Sequence, residues 1–250
     1  MTKIVFPEIK NPIIQGALEK VENVEAISAE DLEEACGILR EGKADGMIAG
    51  IDYTSRDVIL AAKNMVEMEG KTFTSSIVFQ KGEEKLILAD IATVKNPDEE
   101  RLFDIILQTF ETAKKVLDEE PRIAILSFST FGSGGKDESI KRAKNVVEKI
   151  RRERPEIIVD GEMQLDAAID ERIGKKKASG SKVAGRANVL IAPDLNSGNI
   201  LYKAIEHFGG YAAAGPILQG FRAPISDLSR GSNVGDVILT IETLRKIIGE

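Results

Sequence analysis

The sequence predicts an α/β sandwich, on three observations. Short runs dense in Ile, Val, Leu and Ala alternate with longer stretches whose apolar residues recur at helical spacing. The apolar runs are near-continuous, the pattern of parallel strands covered on both faces. One segment breaks the rhythm with two β runs around a polar turn, and it marks entry into a second lobe.

Lys3–Phe6, Gly46–Ile51, Arg122–Phe128, Glu156–Asp160 and Asn188–Ala192 read as the buried strands. Ser28 with Asp31 reads as a capping box that opens a helix through about Arg40. The two β runs are Thr72–Gln80 and Lys85–Ala92, an antiparallel hairpin turning at Lys81-Gly82-Glu83-Glu84. Asn96-Pro97-Asp98-Glu99 supplies a cap, a first-turn proline and acids ahead of Leu102, Ile105, Ile106, Phe110 and Ala113, which share one helical face. Further helices begin near Asp137, run from about Asn199 to His207, and start near Asn233, the last burying Val237, Ile238, Ile241, Leu244 and Ile248.

Composition narrows the function. The 250 residues suit one large domain or two small ones, at roughly 150 residues per domain. With 34 Lys and Arg against 41 Asp and Glu, the net charge of −7 disfavours a partner held by its phosphate backbone. Nine Phe, three Tyr and no Trp make a poor base-stacking platform, so no nucleic-acid partner is expected. Cys36 stands alone, which removes an intrachain disulfide and an all-Cys metal site, and it reads as a small buried hydrophobe. A single histidine, His207, removes zinc sites built on several. Met1–Phe6 lacks the apolar core of a signal peptide, and no apolar run approaches about eighteen residues. A cytoplasmic protein with no membrane contact is expected.

Three places could carry chemistry. Ser127-Phe128-Ser129-Thr130-Phe131-Gly132-Ser133-Gly134-Gly135 follows a strand and precedes a helix. Its amides and hydroxyls could hold a phosphate, or it is a flexible connection. It is not a P-loop, because Lys136 is followed by Asp137. Ser229-Arg230-Gly231 at the start of the last helix offers a hydroxyl, a guanidinium and free amides, which suits an anion. Asp236 lies about three residues into that helix, and its spacing favours a cap with Asn233 or Ser232. Asp166 and Asp170, at i and i+4, could face a divalent cation or simply water. Lys175, Lys176, Lys177, Lys182 and Arg186 read as a charged loop.

Val159-Asp160-Gly161-Glu162-Met163-Gln164-Leu165-Asp166-Ala167-Ala168 resembles the phosphotransacetylases, the phosphate acetyltransferase and phosphate butyryltransferase family. So do Val183-Ala184-Gly185, Pro193-Asp194-Leu195-Asn196-Ser197-Gly198-Asn199 and Asp227-Leu228-Ser229-Arg230-Gly231, in matching order. The resemblance runs from about Gly42 to Glu250 and is strongest after Pro121. It implies a two-lobed fold of mostly parallel sheets akin to the isocitrate and isopropylmalate dehydrogenases. Residues 1–71 with 221–250 would form the first lobe and 72–220 the second, with the active-site cleft between them. It implies transfer of an acetyl group between coenzyme A and phosphate, giving acetyl phosphate, by a metal-independent homodimer. Coenzyme A would be a substrate, with no tightly bound cofactor. The apolar run Tyr211-Ala212-Ala213-Ala214 adds sequence support for the dimer.

On that resemblance the catalytic residues are Asp236, Ser229 and Arg230. Ser127, Ser129, Thr130, Gly132, Ser133, Asn196 and Gly231 would bind substrate. A reference aspartate near 3.9 and a thiol near 8.5 differ by roughly 4.6 units, or about 6 kcal/mol. Deprotonating the thiol therefore needs burial that raises the Asp236 carboxyl, Arg230 lowering the bound thiol, or transfer concerted with attack, and with it a closed, dry cleft between the lobes. Two departures stand out. The stretch from Phe6 to Gly46 is short for the family, and Leu60 stands where relatives place a phosphate-gripping arginine. Arg56, one helical turn earlier, either substitutes for it or is a solvated residue. The alternatives are a butyryl-type transferase, a non-catalytic binder of coenzyme A or acyl phosphate, and a metal-dependent dehydrogenase resting on Asp166 and Asp170.

Overall fold

A computed structural model describes residues 1–70 and 72–249. Lys71 and Glu250, the ends that the sequence gives the first lobe's two segments, lie outside the described residues. In chain order the elements are β1 (Thr2–Phe6), α1 (Pro12–Leu18), β2 (Val24–Ser28), α2 (Leu32–Arg40), β3 (Gly46–Ala49), α3 (Ser55–Met65) and β4 (Thr74–Lys81). Then come β5 (Glu84–Ala89), α4 (Glu99–Val116), β6 (Arg122–Leu126), α5 (Glu138–Glu153), β7 (Ile158–Met163), α6 (Leu165–Ile169), α7 (Glu171–Lys177), β8 (Val189–Ile191) and α8 (Leu195–Gly209). The chain ends with β9 (Ala212–Gln219), β10 (Ile225–Asp227) and α9 (Val234–Ile248).

These elements form two compact units, Met1–Lys81 with Gly210–Glu250, and Gly82–Gly209. In the first, the strand order is β2-β1-β3-β10-β9-β4, with β2, β1, β3 and β10 mutually parallel and β9 antiparallel to both its neighbours. Val5, Met47, Ala49 and Ile225 turn one face of this sheet toward α2 and α3, which bury Ala35, Cys36, Leu39, Val58 and Ala62 against it. Gly46 turns the opposite way, where an added Cβ would meet Leu244 and Ile248 of α9. In the second unit β5, β8, β6 and β7 are all parallel, in that order. The mostly parallel α/β class follows from these pairings, and no helix among the described residues is long and apolar enough to cross a membrane.

Several local readings shift, each for a physical reason. Asp31, not Ser28, caps α2 by accepting from Glu34 N at 2.8 Å, and Ser28 ends the edge strand β2. Asp98 caps α4, so Pro97 precedes the cap instead of entering the first turn. β7 begins at Ile158 and runs through Met163, and α8 starts at Leu195. Sequence reasoning missed β9 because Gly215-Pro216 interrupts it; the register with β4 shifts there, the usual setting for a proline inside a sheet. Ala213 and Ala214 are thereby buried opposite Phe79 and Val78, so half of the apolar run read as support for a dimer packs within its own unit, while Ala212 is exposed. That pairing also carries the first unit to Lys81 and resumes it at Gly210, whereas the sequence reading starts the second lobe at Thr72. Cys36 is buried and its thiol is pushed up to about 11 by that burial, the behaviour of a packing residue.

Gly198, in the first turn of α8, sits where an added Cβ would lie 2.1 Å from the backbone oxygen of Asp90. A backbone oxygen cannot swing aside as a flexible side chain can. Gly198→Ala should therefore cost at least about 1–3 kcal/mol, the scale of core overpacking. A urea midpoint equal to wild type would contradict this packing.

Candidate active site

In open parallel sheets, ligands gather beyond the carboxyl ends of the strands. The first unit's carboxyl edge is built around Gly50. Leu228 N donates to Ala49 O, and Asp227 pairs with Ala49, so β10 leaves the sheet beside β3. Gly50 adopts φ +112°, and a Cβ there would lie 2.6 Å from both Asp227 Oδ1 and Leu228 O. Only glycine fits. Glu8, just past β1 and 7% exposed, holds the same turn with its carboxylate. Its Oε2 accepts from Gly50 N at 2.7 Å, and its Oε1 accepts from Asp52 N and from Tyr53 N at 2.9 Å. Thr54 then caps α3.

The segment 228–236 emerges beside that turn. Ser229 is half-buried, its Oγ accepting from Gly231 N at 3.3 Å, and its carbonyl accepts from Ser232 N at 2.9 Å. Arg230 and Gly231 are exposed, and no carboxylate among the described residues pairs with Arg230. Asp236 is buried and completes a capping box: Asn233 Oδ1 accepts from Asp236 N, and Asp236 Oδ2 accepts from Asn233 N at 2.9 Å. Its Oδ1 also accepts from Ala213 N at 3.3 Å. The cap that the spacing favours is thus present. Arg56 is exposed in the first turn of α3, on the same carboxyl edge, and Leu60 one turn on is 44% exposed.

Asp227, the last residue of β10, is 1% exposed. No hydrogen bond of regular geometry reaches Oδ1 or Oδ2 among the described residues. Burial pushes its carboxyl up to about 6; the nearby Ser55 hydroxyl pulls it down in part, and the charge of Glu8 adds to the rise. Sequence reasoning passed over Asp227 and Glu8, although Asp227 opens the Asp227–Gly231 motif and Glu8 directly follows a strand and Pro7.

The second unit has its own carboxyl edge. The loop 127–134 follows β6, and Asn196 lies in the first turn of α8 after β8; β6 and β8 are paired in parallel, so both leave side by side. Ser129 and Thr130 are buried, Ser127 and Gly132 are half-buried, and Ser133 and Asn196 are exposed. The loop is laced to the fully buried Glu162, whose Oε1 accepts from Ser129 Oγ at 2.9 Å and from Gly132 N at 2.6 Å. Phe131 N donates to the Glu162 carbonyl at 3.1 Å, and Gly134 N donates to Ser129 Oγ at 2.9 Å. Ser129 and Gly132, expected to face substrate, here spend these donors on a buried carboxylate, and the loop is an ordered turn instead of a flexible connection. Ser133 Oγ accepts from Thr130 N at 2.9 Å. A separate cavity of about 310 Å³ lies by Phe131, Lys144, Val147 and Ser181, and the charges of Arg151 and Asp160 on its wall are paired at 2.9 Å.

Asp166 and Asp170 do not converge on a cation. Lys177 Nζ donates to Asp166 Oδ2 at 2.8 Å and holds that carboxyl below its ordinary range, while Asp170 caps α7 through Ile173 N at 2.9 Å. No group of three or more His, Cys, Asp or Glu among the described residues could hold a metal. Lys175, Lys176 and Lys177 lie in the last turn of α7, not in a loop, where cations complement the helix dipole.

The family described as "Phosphate acetyl/butaryl transferase" matches residues 13–243. A phosphate acetyltransferase of Clostridium acetobutylicum is 42% identical over 226 residues, covering 87% of this chain and 68% of the relative. One of Nitrosomonas europaea is 39% identical over 206 residues, and the chain spans only 29% of its length. The solved EutD phosphotransacetylase of Staphylococcus aureus superposes with a TM-score of 0.83 at 27% identity, covering 98% of this chain and 93% of that one. A 4-hydroxythreonine-4-phosphate dehydrogenase of Klebsiella pneumoniae, 16% identical with a TM-score of 0.53 over 88% of this chain and 68% of that one, shares the fold alone. A pattern matched over nearly the whole chain, with identity near two fifths across most of it, places the chain in the phosphate acetyl/butaryl transferase family.

Proposed function

We propose that this protein is an enzyme moving an acetyl group between coenzyme A and phosphate, by direct attack of the coenzyme A thiolate on acetyl phosphate. One observation carries the reading: within this family, the chain presents an unpaired Arg230 and the Ser229 hydroxyl on a turn that leads into α9. Guanidinium and hydroxyl together suit the charge that develops as the acyl carbon is attacked. Asp236 would take the thiol proton while its second lone pairs keep the cap. Ser127, Thr130, Ser133, Asn196 and Gly231 are the proposed substrate contacts, with Ser129 and Gly132 shaping the loop through Glu162. Coenzyme A and phosphate enter as substrates, and no tightly held cofactor or metal is invoked. The protein is read as cytoplasmic and homodimeric, so sedimentation should show a species about twice 27.2 kDa; a monomer at micromolar concentration would remove the dimer.

A second reading has one observation in its favour. Leu60 exposes an apolar side chain on the first unit's carboxyl edge, where a phosphate-gripping group would be useful. On that reading the protein binds coenzyme A or acyl phosphate without turnover. Mixing acetyl phosphate with coenzyme A separates the two: free thiol should disappear as the thioester absorbance grows. No turnover with acetyl, propionyl or butyryl phosphate would give the binding protein.

Asp236 and Arg56 then test the details. Asp236→Ala should cost about 0.5–2 kcal/mol of stability through the lost cap. Asp236→Asn, which keeps an acceptor, should remain folded and lose about 10²–10⁴ in kcat. A folded Asn variant with wild-type kcat would leave Asp236 as a cap only. Arg56→Ala should weaken acetyl phosphate use by about 1.5–3 kcal/mol, the scale of a charged hydrogen bond, with coenzyme A affinity nearly unchanged. Unchanged KM and kcat would make Arg56 a solvated helix residue.

A further inference from the structure

We propose that Glu8 is a positioning residue for the phosphate end of the acyl transfer, its buried carboxylate fixing the first turn of α3 so that Arg56 holds the phosphate of acetyl phosphate. The inference rests on the acyltransferase reading above. The amides of Gly50, Asp52 and Tyr53 follow β3 and converge on this one side chain, Oε2 accepting from Gly50 N at 2.7 Å and Oε1 from the other two. Backbone amides gathered in this way form a nest that takes an anion. Here the anion belongs to the chain itself, and it is 7% exposed. A carboxylate brings two acceptor oxygens and no donor, which three amides require; a glutamine would set its own N–H against one of them. Glu8 lies ahead of residues 13–243, the span that the family pattern matches, so nothing in that pattern supplies this carboxylate.

The place of the nest joins it to the reaction. No slack separates it from α3. Tyr53 is followed by Thr54, whose Oγ1 caps the helix by accepting from Asp57 N at 3.2 Å and donates to Asp57 Oδ2 at 2.6 Å. Ser55 and Arg56 are the first two residues of that helix. A second link runs the same way: Asn11 Nδ2 donates to Asp52 Oδ2 at 3.1 Å, and Asn11 N donates to the Glu8 carbonyl at 2.9 Å. On its other side Gly50 packs against Asp227 and Leu228, which lead directly into Ser229 and Arg230. Arg56 and Arg230 are both exposed, and among the described residues neither has a carboxylate partner. Two unpaired guanidiniums on one sheet edge suit a dianionic phosphate, and such a grip is lost when its backbone shifts by about 1 Å. Glu8 touches no substrate; it acts through the turn amides and Arg56.

The test separates this role from mere bracing. Glu8→Gln keeps the side-chain volume and one acceptor oxygen. It should raise KM for acetyl phosphate about tenfold while kcat and KM for coenzyme A stay within about twofold of wild type. If Glu8→Gln does not fold, Glu8→Asp, which keeps both oxygens on a shorter stem, carries the same measurement. Because the effect runs through Arg56, adding Glu8→Gln to Arg56→Ala should raise KM for acetyl phosphate no further than Arg56→Ala alone, whereas a residue that only stabilises the fold would give additive changes. A folded Glu8 variant with wild-type KM for acetyl phosphate, or a double variant whose KM rises by the product of the single effects, overturns the proposal and leaves the acyltransferase reading standing. An inactive wild type removes that reading, and inorganic phosphate then judges Glu8 without turnover. Phosphate should raise the Tm of wild type and barely move that of Glu8→Gln; equal rises in the two proteins, or none in wild type, overturn the proposal.

Discussion

The first unit's candidate site depends on a backbone contact that tolerates no side chain. β3 and β10 run side by side until Leu228 N reaches Ala49 O, and the chain then turns at Gly50 with Asp227 and Leu228 pressed against it. That closeness keeps the turn after β3 and the turn after β10 together. It also leaves the Gly50, Asp52 and Tyr53 amides without strand partners, and Glu8 satisfies all three with one carboxylate. Removing Glu8 would orphan several buried or half-buried donors at once, at about 1–3 kcal/mol apiece. The orientation of α3, and with it Ser55 and Arg56, follows from this small knot.

The second unit solves the same problem with the same device. The loop after β6 is rich in serine and glycine, which alone would leave it free to sample many conformations. Glu162 at the end of β7 gathers Ser129 Oγ and Gly132 N onto one oxygen, and its backbone carbonyl takes Phe131 N. Gly134 packs so closely that a Cβ would lie 2.6 Å from the Phe128 ring and 2.8 Å from Ser129 Cβ. The glycines therefore serve close packing as well as turning. Lys144 approaches the second Glu162 oxygen only to 3.9 Å, too long for a hydrogen bond, so the buried charge is balanced mainly by local donors.

What the sequence made legible was local. Apolar runs announced β1, β3, β6 and β8, and the Asn233–Asp236 spacing announced the capping box of α9. Caps near a helix start were found to within a few residues, because Asp31 and Asp98 compete with neighbours that could cap equally well. β9 and β10 were illegible, since one contains Gly215-Pro216 and the other, Ile225-Ser226-Asp227, has no apolar run. Their strand character comes from partners distant in sequence. In the candidate site, Ser229, Arg230 and Asp236 were named through the family resemblance. Glu8, Asp227 and Glu162 were not, because their roles lie in burial and in bonds spanning 30 to 45 residues, which no spacing rule encodes.

Asp227 and Asp236 bracket one turn and show how environment divides two identical side chains. Asp236 is buried with both oxygens on backbone amides, so it repays its burial by holding α9 in place. Asp227 is buried as deeply, and its environment offers the nearby Ser55 hydroxyl and the like charge of Glu8. An amide of the same shape would fill that space without an ionised form to desolvate. A carboxylate placed there weakens the fold at neutral pH, because burial favours its protonated form and pushes its carboxyl up to about 6. Of two carboxylates that flank one turn, the bonded one also holds the scaffold, and the one without regular partners carries the cost of its own burial.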